Sequence, residues 1–190
     1  MKKILVLLFA TLLLVVSACD DSDEASKSND NDEKASETTG DNKKGEKLKD
    51  KRIYRIGETA EIFSSTYDFP YEVTVNSFKL TTDAVEGVTL ADKGYDGSRN
   101  GKFAVVNVTI KNTSDRPFVP KEKISAQLLS ESVAETSDDK FFKERNEELK
   151  PGEEVTGNLV YTHSFDDEVY FLTYEQKATT ETKFELPVTN

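Results

Sequence analysis

The chain has 190 residues, with 36 acidic and 25 basic side chains, a formal charge of −11, one histidine and one cysteine. Such acidity makes it a poor ligand for nucleic acid or anionic lipid by charge. A single cysteine permits no internal disulfide, so a folded domain must be held by its core alone.

At the start, Met1-Lys2-Lys3 is basic, and Ile4 to Val16 is apolar except for Thr11. An apolar run of that length fits a signal-peptide core and falls short of the roughly 20 residues a spanning helix needs. It ends in Val16-Ser17-Ala18-Cys19, which resembles a lipobox. The expectation is cleavage between Ala18 and Cys19, with a diacylglyceryl lipid on Cys19 anchoring the mature chain to the outer face of the cytoplasmic membrane. Two acyl chains at about 0.8 kcal/mol per buried methylene make such an anchor stable. Loss of Lys2 and Lys3 takes the formal charge from −11 to −13.

Residues 19–51 are acidic and polar, with Leu48 the one large apolar side chain after Cys19. Such a stretch buries too little surface to offset its ordering entropy, so it reads as a disordered linker. Its root-mean-square reach is on the order of 30 Å, with a stretched limit near ~110 Å. Asp20, Asp21, Asp23 and Glu24 together could hold only a weak, unselective calcium site.

Residues 52–190 read as a folded domain. Short runs rich in Val, Ile, Thr, Tyr and Phe alternate with Gly, Pro, Asn and Asp, and no helical period holds over three turns. Candidate strands are 58–63, 71–80, 102–112, 124–129, 140–143, 154–162, 169–175 and 182–188. The expected fold is all-β, an antiparallel sandwich of seven to eight strands. In 102–112, Ala104, Val106, Val108 and Ile110 share one face, which should be core; the other face is apolar only at Phe103 and Val105, then polar at Asn107, Thr109 and Lys111. In 71–80 the apolar set changes parity from Tyr71, Val73 and Val75 to Phe78 and Leu80, predicting a bulge near Asn76 and Ser77. Lys150-Pro151-Gly152-Glu153 predicts a type II turn.

Residues 54–58 (Tyr-Arg-Ile-Gly-Glu), the run Phe103 to Ser114 and the run Leu149 to Gly157 occur in the order seen in a family of Gram-positive surface lipoproteins of unknown function. That family is similar to telokin and to secreted immunoprotective antigens. The resemblance spans roughly Ile53 to Val188 and implies an immunoglobulin-like sandwich with no catalytic motif. Between Ser130 and Phe141 this chain departs from the pattern. Asp138 and Asp139 here take the place of the glycine and aromatic that commonly mark a hairpin.

Candidate chemistry is sparse. His163 lies at a predicted strand end beside Ser164, which points to the opposite face and is badly placed for a nucleophile and base pair. The carboxylate pairs Asp138 with Asp139 and Asp166 with Asp167 sit in predicted turns, where carboxylates usually bond nearby amides. Asp92 to Gly97 has a passing likeness to a calcium loop, with Asp92 and Asp96 as its acids, but the position of the bidentate acid is Phe103. Asn107-Val108-Thr109 and Asn112-Thr113-Ser114 have the glycosylation-acceptor pattern, which a bacterial lipoprotein would not normally use.

The 21 residues from Thr81 to Gly101 are long for a hairpin connection. Val85, Val88, Leu90, Tyr95 and Arg99 could form a contact patch there; alternatively a short strand around 87–90 completes a sheet. The expectation is therefore a non-enzymatic, membrane-anchored domain that needs no cofactor and binds a protein or cell-envelope partner. A small-molecule or divalent-metal receptor is the alternative, and an enzyme the third reading.

Overall fold

Apolar side chains recurring on one parity produce the longer strands, and pairing with a neighbour supplies the shorter ones. The computed structural model describes residues 52–95, 97 and 100–189. The signal-peptide and linker expectations for 1–18 and 19–51, with Ala18 and Cys19, lie outside the described residues, as do Asp96 and Arg99.

Nine strands form among the described residues. They are β1 (Ile53–Arg55), β2 (Thr59–Ser64), β3 (Phe69–Thr81), β4 (Lys102–Asn112), β5 (Ala126–Leu129), β6 (Ala134–Thr136), β7 (Glu154–His163), β8 (Val169–Tyr174) and β9 (Thr182–Pro187). One sheet has the order β2-β3-β4-β7 and the other β1-β9-β8-β5-β6. All pairings are antiparallel except β1 with β9, which is parallel. The short α1 (Pro120–Lys123) lies on the crossover from β4 to β5.

Two apolar faces meet between the sheets. Ala60, Ile62, Tyr71, Val73 and Val75, with Ala104, Val106, Val108 and Ile110, are buried from one side. Leu128, Tyr170, Leu172, Tyr174, Phe184 and Leu186 are buried from the other. Tyr71 meets Tyr174 edge-on with ring centroids 6.4 Å apart, and Phe78 meets Tyr170 at 6.0 Å, so aromatic rings bridge the two layers. The predicted bulge is present: the β3/β4 register shifts between Val75 and Ser77, which carries the inward face from Val75 to Phe78 and Leu80. The predicted turn also forms, with Gly152 at φ +81° and the Glu153 amide donating to the Lys150 carbonyl at 3.0 Å.

Three expectations are corrected. The strand count is nine rather than seven or eight, because β1 and β6 are three-residue strands without a period of their own. Residues 140–143 form no strand. The Lys140 amide turns back to the Asp138 carboxylate at 2.9 Å, Phe142 adopts φ +50°, and a 3-10 turn follows at Lys143–Asn146. Consequently the hairpin after β5 closes at Ser130 to Val133, not at Asp138 and Asp139; the Ser130 amide donates to the Val133 carbonyl at 2.9 Å and the Val133 amide to Ser130 Oγ at 3.0 Å.

Candidate functional site

The outer face of the β2-β3-β4-β7 sheet is graded along its strands. Phe103, Val105 and Val160 make one end apolar, and the connection between β3 and β4 folds back over them. Val85, 8% exposed, packs into this second cluster with Phe141, while Val88 and Leu90 are part-buried against it. The connection is organised by a two-residue turn rather than a strand at 87–90. Val85 and Val88 exchange backbone hydrogen bonds at 3.0 and 2.9 Å around Glu86 and Gly87, at φ +49° and +81°. Positive φ at both central residues matches the right-handed twist of the flanking segments.

The connection is then pinned down. The Lys93 ammonium pairs with the Asp138 carboxylate and stands 5.8 Å from the centre of the Phe141 ring. Tyr95 lies on Gly101, where a Cβ would come within 2.2 Å of the ring. Three of the candidate contact residues, Val85, Val88 and Leu90, thus put apolar surface into the fold. Tyr95 is half-buried.

Beyond the covered end, the sheet face becomes a hydrogen-bonded amide and hydroxyl surface. Asn76 Nδ2 donates to Asn107 Oδ1 at 2.9 Å, Asn107 Nδ2 to Asn158 Oδ1 at 2.8 Å, and Asn158 Nδ2 to Glu86 Oε1 at 3.4 Å. One register step along, Thr59, Thr74, Thr109 and Thr156 are successive cross-strand partners, with Oγ separations of 2.7 Å for the first pair and 2.8 Å for the last.

A cleft of about 640 Å³ opens over this floor. Glu86 and Val88 form one wall, Lys140, Lys143 and Glu144 the other, and Asn107, Thr156 and Asn158 lie beneath. Both walls contain a non-glycine residue in the left-handed region, Glu86 and Phe142. Such conformations cost of order 1–3 kcal/mol and persist where the surroundings over-determine them. Gly157 explains how the second wall fits: a Cβ there would lie 2.1 Å from Phe142 Cδ2, so the ring rests on bare backbone.

The remaining candidates are held by local partners. Asp92 Oδ2 accepts from the Thr89 amide and hydroxyl at 2.8 and 2.7 Å, and these bonds hold its carboxyl below the ordinary range. Among the described residues no three His, Cys, Asp or Glu side chains group as metal ligands. His163 Nδ1 donates to the Ser164 carbonyl at 3.1 Å, and Nε2 is 3.8 Å from Glu135. Asp139 pairs with Lys121 and Arg145, Asp166 lies 3.7 Å from Lys102, and Asp167 accepts the Ser130 and Ser132 hydroxyls. On the opposite sheet, a groove of about 680 Å³ has Leu129, Val169 and Phe171 among its lining.

Sequence reasoning missed Glu86 and Asn158, and it read 140–143 as a strand. Val-Glu-Gly-Val is a signal for a two-residue turn, and glycine inside β7 signals a close approach. Both could have pointed to the cleft.

Two β-sheets packed face to face, with a loop-walled polar cleft on one outer surface, define a β-sandwich domain. The chain belongs to the DUF4352 family, described as a domain of unknown function, whose model matches residues 65–184. Among solved structures it is similar to a conserved hypothetical protein from Bacillus anthracis, at 20% identity over 65% of this chain and 96% of that one, with a TM-score of 0.39. It is also similar to an uncharacterized β-sandwich protein from Clostridium difficile 630, at 16% identity over 77% and 99%, with a TM-score of 0.42. No curated protein matches the chain.

Proposed function

We propose that this domain is a non-catalytic binding module, held at the outer face of the cytoplasmic membrane by a lipid on Cys19, that takes a polar cell-envelope polymer, a glycan, in the cleft between Glu86 and Glu144. The likeness of its strand and turn motifs to telokin-like surface lipoproteins belongs to the same reading. The supporting observation is the chemistry of the cleft. Its floor offers amides and a hydroxyl at Asn107, Thr156 and Asn158, and its rims balance Glu86 and Glu144 against Lys140 and Lys143. Hydroxyls and acetamido groups donate and accept at once, so they satisfy such a floor without carrying net charge. The exposure of both rim carboxylates supports binding rather than cleavage. A glycosidase acid is instead kept protonated by apolar surroundings.

Co-sedimentation with purified cell-wall material tests the proposal. Wild-type protein is expected to sediment with the wall fraction, and Glu86→Ala with Asn158→Ala to reduce this at least fivefold; equal sedimentation of both proteins, or none of the wild type, defeats it. For the anchor, metabolic labelling with a fatty-acid probe should mark the wild type and not Cys19→Ala. A labelled variant would refute the assignment.

A further inference from the structure

At one end of the sandwich, the β2–β3 hairpin, the segment from Lys123 to Gln127 and the β8–β9 hairpin enclose a second cavity of about 250 Å³. Ser64, Thr66, Tyr67, Lys123, Ser125, Gln127, Glu175 and Gln176 line it, a set of polar residues with one acid and one base. Ser64 is 1% exposed, and its hydroxyl has no hydrogen-bond partner within the protein.

The cavity is built in advance of any ligand. From the core, the Tyr71 hydroxyl donates to Glu175 Oε1 at 3.1 Å, which orients that carboxylate. Arg116 Nη2 donates to the Tyr67 and Asp68 carbonyls at 2.6 and 2.5 Å and so fixes the β2–β3 hairpin. Lys123 Nζ stands 4.4 Å from the centre of the Tyr67 ring, which positions both. Asp68, Glu175 and Lys177 occupy the left-handed region at φ +57°, +48° and +65° on these two hairpins.

We infer that this cavity binds a single sugar ring, a site separate from the cleft and independent of whether the cleft binds a glycan. Its volume lies below the roughly 300 Å³ at which drug-sized ligands begin, which suits one small ring. The wall mixes donors and acceptors, and its one carboxylate offsets its one ammonium, so it favours a neutral ligand rich in hydroxyls. An amino acid would leave its side chain only Tyr67 and Ala178 to pack on. Hydrolysis of a glycosidic bond uses two carboxyl groups, and Glu175 is the one acid in the lining, so the site holds its sugar without cleaving it.

Saturation-transfer difference NMR on the full-length protein, with glucose and N-acetylglucosamine at millimolar concentration and alanine as comparator, tests this. At least one sugar is expected to give a signal that falls fivefold or more in Glu175→Gln and in Gln127→Ala and persists in Asn158→Ala. Glu175→Gln keeps an acceptor for Tyr71, and Gln127 is a part-buried residue on the outer face, so both variants should fold, as circular dichroism would verify. The inference is overturned by no sugar signal in the wild type, by signals unchanged in both folded variants, by loss in Asn158→Ala alone, or by binding of alanine in place of the sugars.

Discussion

Asn112 illustrates how much one side chain organises. It is fully buried at the end of β4, where Nδ2 donates to the Arg116 and Leu149 carbonyls at 2.9 and 2.8 Å and Oδ1 accepts from the Ser114 amide and hydroxyl at 2.9 and 2.7 Å. Both donors and both lone-pair directions are used, which ties the strand end to the 149–153 turn. Asn112→Ala is expected to cost roughly 1–3 kcal/mol, since it leaves the buried Ser114 amide without its acceptor and takes one of two donors from each of the Arg116 and Leu149 carbonyls. Urea unfolding measures this, and a midpoint equal to wild type would contradict it. The triplet Asn112-Thr113-Ser114 is conspicuous in the sequence, but its purpose is not, because the decisive partner, Leu149, lies 37 residues away. At Gly157 an added methyl group meets Phe142, itself held at φ +50° with little freedom to yield. Gly157→Ala should therefore cost about 1–3 kcal/mol and weaken wall sedimentation together with stability.

At the scale of elements, legibility followed length and partnership. The bounds of β4 were readable in full because Ala104, Val106, Val108 and Ile110 hold one parity along its eleven residues. β6, an exposed Ala-Glu-Thr, has no pattern and exists through pairing with β5. Residues 140–143 look like a strand by composition, yet Phe141 and Phe142 serve different apolar clusters at the edge of β7, and a left-handed residue separates them from the following turn. The long connection after β3 was visible as an anomaly of length; that it covers Phe103 and Val105 was not, since its partners Phe141 and Val160 are remote in sequence. Its hold on the sheet should respond to acid. Burial works against the charged form of Asp138, but hydrogen bonds from Lys93 and Lys140 prevail and hold its carboxyl below the ordinary range. A folded value below the unfolded one means that the ion pair contributes stability above about pH 4 and loses it as pH falls through the folded value. Hydrogen exchange at the Val85 and Val88 amides is thus expected to lose protection selectively below about pH 4, and Asp138→Asn should show the weaker protection already at neutral pH. Acid-independent exchange in the wild type would remove the pin from the account.

For the molecule as a whole, the interior is tyrosine-rich, and this sets an alkaline limit on the fold. Of seven tyrosines, Tyr71, Tyr161, Tyr170 and Tyr174 are essentially unexposed, and the three other than Tyr170 are the most strongly shifted. Burial pushes all three hydroxyls well above their ordinary value; Glu175 and Tyr174 add to the effect at Tyr71, and Arg145 opposes it at Tyr161 and Tyr174. Raised folded values mean full stability below about pH 10 and progressive loss above it, because only the unfolded chain can then release those protons. Three such groups remove about 4 kcal/mol per pH unit, enough to exhaust a typical 5–15 kcal/mol within a few units. The domain should therefore unfold in one step near pH ~12, and the buried tyrosines' share of the tyrosinate absorbance should rise together with the loss of β-sheet ellipticity. Tyr174→Phe separates this from ordinary base denaturation. Its hydroxyl has no hydrogen-bond partner within the protein, so removing it should leave stability at pH 7 unchanged or raise it by up to about 3 kcal/mol, while moving the alkaline midpoint upward by more than that gain alone explains. A variant whose midpoint does not move beyond its neutral-pH gain would show that the buried hydroxyls do not set the limit.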